Sequence, residues 1–351
     1  MTVSSLAAPA QAEARPDRPG ATELRLAAFA AHRRARFPLG PLTLFTGPSG
    51  SGKTTALRAY EALARLGGGA ALDEVFPDPD ACVPERALPD AQRRRGFRIG
   101  CTADGPEGPV RLDVAVQAEP ELRIVGERLT AGGLTLLETA LRDPGRRVVQ
   151  AAWHTAGSSP VTRGPLPDDR LGTALLPLRV SGRTDGERRV LAAAEQMVVA
   201  LRSVYACDPS PRRMRAAAPL GAGRLLRGCD NLAEPLGDGT VRALLDRGDG
   251  VRTHLGLLGD GELRYLALAL VLLTGPGVLE VDPAGEVPAA LQTLTVLADG
   301  LDRGLDARQA GELVRLAARM CERGHIRLVG AVGDAVRVCE VPGVTVVDLT
   351  P

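Results

Sequence analysis

The sequence predicts an α/β fold, a core of strands alternating with helices into which an antiparallel β lobe and a small helical region are inserted. Three observations predict it. The apolar run Leu42–Thr46 passes through a glycine-rich loop straight into a helix-periodic segment. The stretch from Phe97 to Val125 reads as short strands parted by turns, and the last third of the chain returns to alternating helix and strand.

Taken in order, residues 1–21 are rich in Ala, Pro and small polar residues without periodicity and are expected to form a flexible tail. A single domain is expected over 22–351, with its core in 22–66 and 256–351 and the inserted lobe and helical region in 67–255. Glu23–Leu26 and Leu42–Thr46 read as strands. Thr54–Leu66 carries Ala56, Leu57, Tyr60, Leu63 and Ala64 at helical spacing, and Gly67–Gly69 stops it. Pro and Asp between Phe76 and Arg95 mark a surface loop; Phe97–Cys101, Val110–Val116 and Leu122–Val125 follow as strands. Gly186–Arg202 reads as a helix, and Val241–Leu245 with Val251–Leu255 as a hairpin across Arg247–Gly250. Gly261–Leu273 is helical and apolar nearly all round, hence buried, and Gly277–Val281 is expected to be a buried strand. Asp306–Glu322 is an amphipathic helix with Ala310, Leu313, Val314, Ala317 and Met320 facing inward. Ile326–Ala331 and Val344–Leu349 supply the last strands.

With 351 residues, 44% hydrophobic and 24% charged, the chain has an ordinary globular composition. The apolar run Leu266–Leu273 falls short of the ~20 residues that span a bilayer, and the N-terminus carries no basic segment followed by an apolar core. A cytoplasmic protein without a membrane partner is expected. The 6 cysteines lack any C-x-x-C pair, so neither a zinc site nor a disulfide framework is suggested. A net charge of +1 and 3% aromatic residues give no stacking platform for nucleic acid. Among 43 basic side chains, all but Lys53 are arginine. A composition that has replaced every other lysine keeps this one where a compact ammonium on a flexible stem is needed.

That place is Gly47-Pro48-Ser49-Gly50-Ser51-Gly52-Lys53-Thr54, which satisfies G-x-x-x-x-G-K-[ST] in full and lies between an apolar strand and a helix. The glycines let backbone N–H groups turn inward around phosphates, and the helix opening at Lys53 aims its positive dipole end at the same anion. The expected ligand is ATP with Mg²⁺. Lys53 is expected to bridge the β- and γ-phosphates, Thr54 to place its hydroxyl on the metal, and Thr55 to complete the cradle. A carboxylate at the end of a neighbouring strand is expected to hold the magnesium shell, and Asp282, after Val278–Val281, is the residue read for that role. Glu280 points to the same side as Asp282 by period two, and either lines the site or sits near a sheet edge.

Beyond the loop, the chain resembles the ATPase heads of the ABC class, specifically the RecF/SMC-like branch. Leu258-Gly259-Asp260-Gly261-Glu262 looks like the signature that family writes L-S-x-G-E. Cys207-Asp208-Pro209, through Met214-Arg215, to Asp230-Asn231-Leu232-Ala233 is similar to a stretch of RecF-like heads that ends in N-L-A, and Glu23–Phe29 fits their first strand. The likeness spans most of residues 22–335. It implies a P-loop NTPase core of ABC-ATPase-head type and an ATP-dependent homodimer. Each ATP would be clamped between the P-loop of one head and the Gly259–Glu262 segment of the other, with Gly261 allowing close backbone approach. Nucleic acid enters as a partner by family analogy only.

The departures matter as much. Gly259 replaces the signature serine, Pro283 follows Asp282 where a water-polarising glutamate is usual, and Ala331–Asp334 contains no switch histidine. Glu286 is the nearest carboxylate that could substitute for the glutamate. Activating water is largely a matter of positioning, so these losses imply slow ATP hydrolysis rather than lost binding. A non-hydrolysing, ATP-sensing scaffold or a DNA-associated switch is the alternative.

Overall fold

The computed structural model describes residues 18–153, 162–215, 224–232, 244–246, 248, 250–275, 278–281, 292–333 and 341–350. The elements, in chain order, begin with strands β1 (Gly20–Phe29), β2 (His32–Pro38) and β3 (Leu42–Thr46), then helices α1 (Lys53–Gly67) and α2 (Leu72–Val75). Six strands follow: β4 (Arg95–Asp104), β5 (Val110–Glu119), β6 (Arg123–Ala131), β7 (Leu134–Ala140), β8 (Val148–Trp153) and β9 (Thr162–Pro167). Next come α3 (Gly172–Leu175), α4 (Asp185–Arg202), β10 (Val204–Cys207), α5 (Pro211–Met214), β11 (Leu244–Asp246) and β12 (Arg252–His254). The chain closes with α6 (Asp260–Leu273), β13 (Leu294–Ala298), α7 (Ala307–Glu322), β14 (Ile326–Ala331) and β15 (Val344–Asp348).

Two large sheets result. One is an eight-stranded antiparallel sheet in the order β2-β1-β4-β5-β6-β7-β8-β9; the other is a five-stranded parallel sheet in the order β10-β13-β14-β3-β15. The α/β class with an antiparallel lobe is therefore as the sequence predicts, but the sheets divide the chain differently. The antiparallel sheet takes its first two strands from before the glycine-rich loop, pairing Leu24 with Phe37 on one side and Cys101 on the other. Conversely, β10, from the segment read as an insertion, is an edge strand of the parallel sheet.

Helix α1 packs against strands of both sheets, and α7 covers the opposite face of the parallel sheet with α6 beside it. The alternation of side chains along each strand sorts the core accordingly. Phe45, Leu297, Val329 and Ala331 join the cluster on the α1 side. Leu42, Leu44, Leu294, Val296 and Leu328 join the cluster under α6 and α7. In α7 the five residues predicted to face inward are all buried, each large one contributing about 1.5–3 kcal/mol over its exposed state. Asp306 caps that helix, its carboxylate accepting from Gln309 N–H at 2.8 Å.

Helix α6 is less uniformly buried than its composition suggests: Leu263, Ala267, Leu268, Val271 and Leu272 are inside, whereas Leu273 is 62% exposed. Of the segment expected as a buried strand at Gly277–Val281, the described part, Val278–Val281, forms no strand. Over its described residues it makes a single bridge, Leu279 to Leu225. Among the described residues no helix is long and apolar enough to cross a membrane.

Candidate nucleotide site

Strand β3 is buried along its whole length and fixes where the loop begins. Backbone hydrogen bonds continue the sheet past the strand ends, from Val332 N–H to Phe45 O at 3.0 Å and from Leu349 N–H to Thr46 O at 2.9 Å. The loop turns on glycines in the left-handed region: Gly47 at φ 131°, Gly50 at 83° and Gly52 at 99°. Gly52 is the residue before α1. A Cβ there would stand 2.6 Å from Nε2 of His32, which lies 3.1 Å from the Gly52 carbonyl oxygen. The antiparallel sheet thus buttresses the loop through a buried histidine on β2.

No side chain caps α1 and no acidic residue sits in its first turn, so its leading N–H groups and dipole are directed at the loop's interior. Lys53 Nζ donates to the carbonyls of Gly47 at 2.5 Å and Pro48 at 2.9 Å, which hold the ammonium against the cradle. Among the described residues the Ser51 hydroxyl is buried without a hydrogen-bond partner, a group that a phosphate oxygen inside the loop would satisfy.

The carboxylate beside the loop is Asp299. Strand β13 lies parallel to β14, which lies parallel to β3. Along β13, Leu297 faces α1, and the alternation carries Asp299 to the same side, where α1 starts. Thr54 Oγ1 donates to Asp299 Oδ2 at 2.9 Å. The strand position that Val278–Val281 was expected to fill belongs to β13. Asp282 and Glu286 themselves lie outside the described residues. Glu280 is exposed and lines a different cavity, beside Arg65 and Arg227. The run Leu294–Ala298 followed by Asp299-Gly300 carries the signal that could have found the site: a short apolar strand ending in an aspartate and a turn, just before a capped helix.

The turn after Asp299 is tightly tied down. Leu301 N–H donates to Ala331 O at 2.8 Å, and the Asp302 carboxylate accepts from Gly333 N–H at 2.9 and 3.1 Å. From α6, the buried Arg264 reaches behind it, donating to Pro209 O at 2.6 Å and lying 3.3 Å from Gly300 O and 3.5 Å from Asp299 O. Burial, and secondarily the charge of Arg303, pull the Arg264 guanidinium below its ordinary value. A cavity of about 620 Å³ is enclosed by Gly47–Thr55, Ala31, Asp299, Gly300, Asp302, Arg303 and Ala331–Gly333.

Gly259, Asp260, Gly261 and Glu262 are not on the wall of that cavity. Glu262 folds back to accept from Gly259 N–H at 2.9 Å, closing the first turn of α6, and Asp260 pairs with Arg215 at 2.6 Å. Gly261 has an intrachain reason to be glycine that the sequence did not reveal. A Cβ there would stand 2.0 Å from the carbonyl oxygen of Gly304, in the loop after β13. Gly261→Ala should therefore force α6 away from that loop and cost about 1–3 kcal/mol, read as a lower urea midpoint with an unchanged slope.

No protein-family model matches this chain, and no curated protein does. Among solved structures it is similar to an SMC head bound to the C-winged helix domain of ScpA, at 11% identity and TM-score 0.47 over 91% of this chain and 92% of that one. It is also similar to the SMC head domain from Thermotoga maritima, at 14% identity and TM-score 0.44 over 92% and 91%. The recombination mediator protein RecF, solved with ATP, aligns over 34% of this chain and 29% of its own, at 12% identity and TM-score 0.24.

Proposed function

We propose that this chain is a cytoplasmic ATP-binding protein that takes Mg-ATP in the cavity between the glycine-rich loop and Asp299, hydrolyses it slowly, and pairs head to head with a second copy. The observation that carries the reading is the hydrogen bond from Thr54 to Asp299, at 2.9 Å, on the wall that also presents Lys53. Two hard oxygen donors side by side suit magnesium, which Thr54 and Asp299 would hold. When bound, the ion supplies neutralisation of charge on the β- and γ-phosphates. The chain's own groups do the rest: Lys53 and the inward N–H groups of Gly50–Thr54 bind and orient the triphosphate, and α1 contributes its dipole.

Slow chemistry follows from what stands after Asp299. Gly300 has no side chain to orient water, and Asp302, the next carboxylate on the wall, already accepts from Gly333 N–H. The same observation favours a second reading, an ATP sensor that does not turn over. Dimerisation rests on the resemblance of Gly259–Glu262 to a family signature that acts across an interface, and nucleic-acid binding on family analogy alone.

Calorimetry of the full chain with Mg-ATP, combined with phosphate release and with solution mass in ATP, ADP and no nucleotide, tests the proposal. Binding heat, turnover below ~1 s⁻¹ as judged against kinases and a mass that doubles only in ATP are expected. Binding without phosphate release would select the sensor, and no heat at millimolar Mg-ATP would refute both.

A further inference from the structure

The position after Asp299 is occupied by a glycine whose neighbourhood is unusual. Gly300 has φ 61°, in the left-handed region that side-chain-bearing residues rarely adopt. A Cβ built on it would stand 3.0 Å from both Nε and Nη2 of Arg303 and 3.2 Å from Cζ. The guanidinium of Arg303 therefore lies over the place where a side chain at 300 would begin. The turn that puts it there is closed by Arg303 N–H donating to Gly300 O at 3.0 Å. Gly300 and Arg303 line the same cavity as Lys53 and Thr54, and no ion pair engages Arg303 among the described residues.

We infer that Arg303 is a γ-phosphate-binding residue acting within its own chain, so that the site reads the presence of the terminal phosphate with a cation. The direction follows from the loop's mechanics. A P-loop lysine and threonine mark the β/γ end of a bound triphosphate, and Asp299, which touches Thr54, is followed at once by Gly300. Arg303 thus stands at the terminal-phosphate end of the cavity. A planar guanidinium matches the oxygens of a phosphoryl group as a fork, and a site of this kind gains most from the nucleotide with the extra charge. A side chain at 300 would crowd the guanidinium where it now lies, and the left-handed backbone there favours glycine. The inference deepens the proposed ATP-binding reading and rests on it.

The test is calorimetry of the full chain with Mg-ATP and Mg-ADP for the wild type, Arg303→Ala and Arg303→Lys. Arg303→Ala should raise the Kd for ATP about tenfold or more and that for ADP less than about twofold, shrinking the preference for ATP. Arg303→Lys should fall between, retaining charge without the fork. Equal losses on both nucleotides, or no loss on ATP, would overturn the assignment. Should the alanine variant fail to fold, Arg303→Lys and Arg303→Gln carry the same comparison. A wild type that binds neither nucleotide sinks the proposed function itself, whereas a wild type that binds ATP with a preference unmoved by these variants sinks only the role of Arg303.

Discussion

Lys53→Ala should weaken Mg-ATP binding on the order of 100-fold or more, because two charge-assisted contacts at about 1.5–3 kcal/mol each are lost together. Among the described residues its ammonium holds two loop carbonyls, Gly47 O and Pro48 O, on a partly exposed surface, so the fold should survive its removal. Thermal melting of the nucleotide-free variant should stay close to that of the wild type. Lys53→Arg should not rescue binding, since a planar fork on a longer stem does not fit a cradle built for a compact ammonium. A Kd within about threefold of wild type in the alanine variant would remove Lys53 from the site.

Asp299→Asn should have the other large effect, with a sign that depends on magnesium. In the proposed site the carboxylate would help to neutralise and hold the metal, so with magnesium present the amide should weaken Mg-ATP binding about tenfold or more and lower turnover further. In excess chelator the carboxylate only repels the triphosphate, so the variant should bind bare ATP as well as the wild type or better. The ratio of the two affinities is the readout, and it should collapse. The amide oxygen still accepts from Thr54, which keeps the wall in place. Asp282→Asn is the internal control and should leave that ratio unchanged. If the Asp282 variant collapses the ratio and the Asp299 variant does not, the strand assignment is wrong.

Much of the scaffold was legible because its signals are local. Strand β3 and strand β14 have the bounds read from the apolar runs, and α1, α4 and α7 fall within a residue of their expected ends. Caps and periodicity specify helices over short windows. The sheet memberships were not legible, because the β1–β2 hairpin is joined to β4, and β10 to β13, by pairings remote in sequence. The carboxylate beside the loop, Asp299, was missed for a related reason. Two short apolar runs, Val278–Val281 and Leu294–Ala298, each end in Asp, and composition alone does not rank them. Only one lies beside β14, which in turn lies beside β3.

The sequence by itself determined the glycine-rich loop, its single lysine, the helix that follows and the α/β class, since backbone freedom, charge and periodicity act over a few residues. Tertiary structure decided which aspartate faces Thr54, that Gly261 is held by Gly304, and that Arg303 overlies Gly300. The first two depend on strand order and close backbone approach between segments far apart in the chain, and the third on a turn whose left-handed Gly300 the sequence alone does not specify.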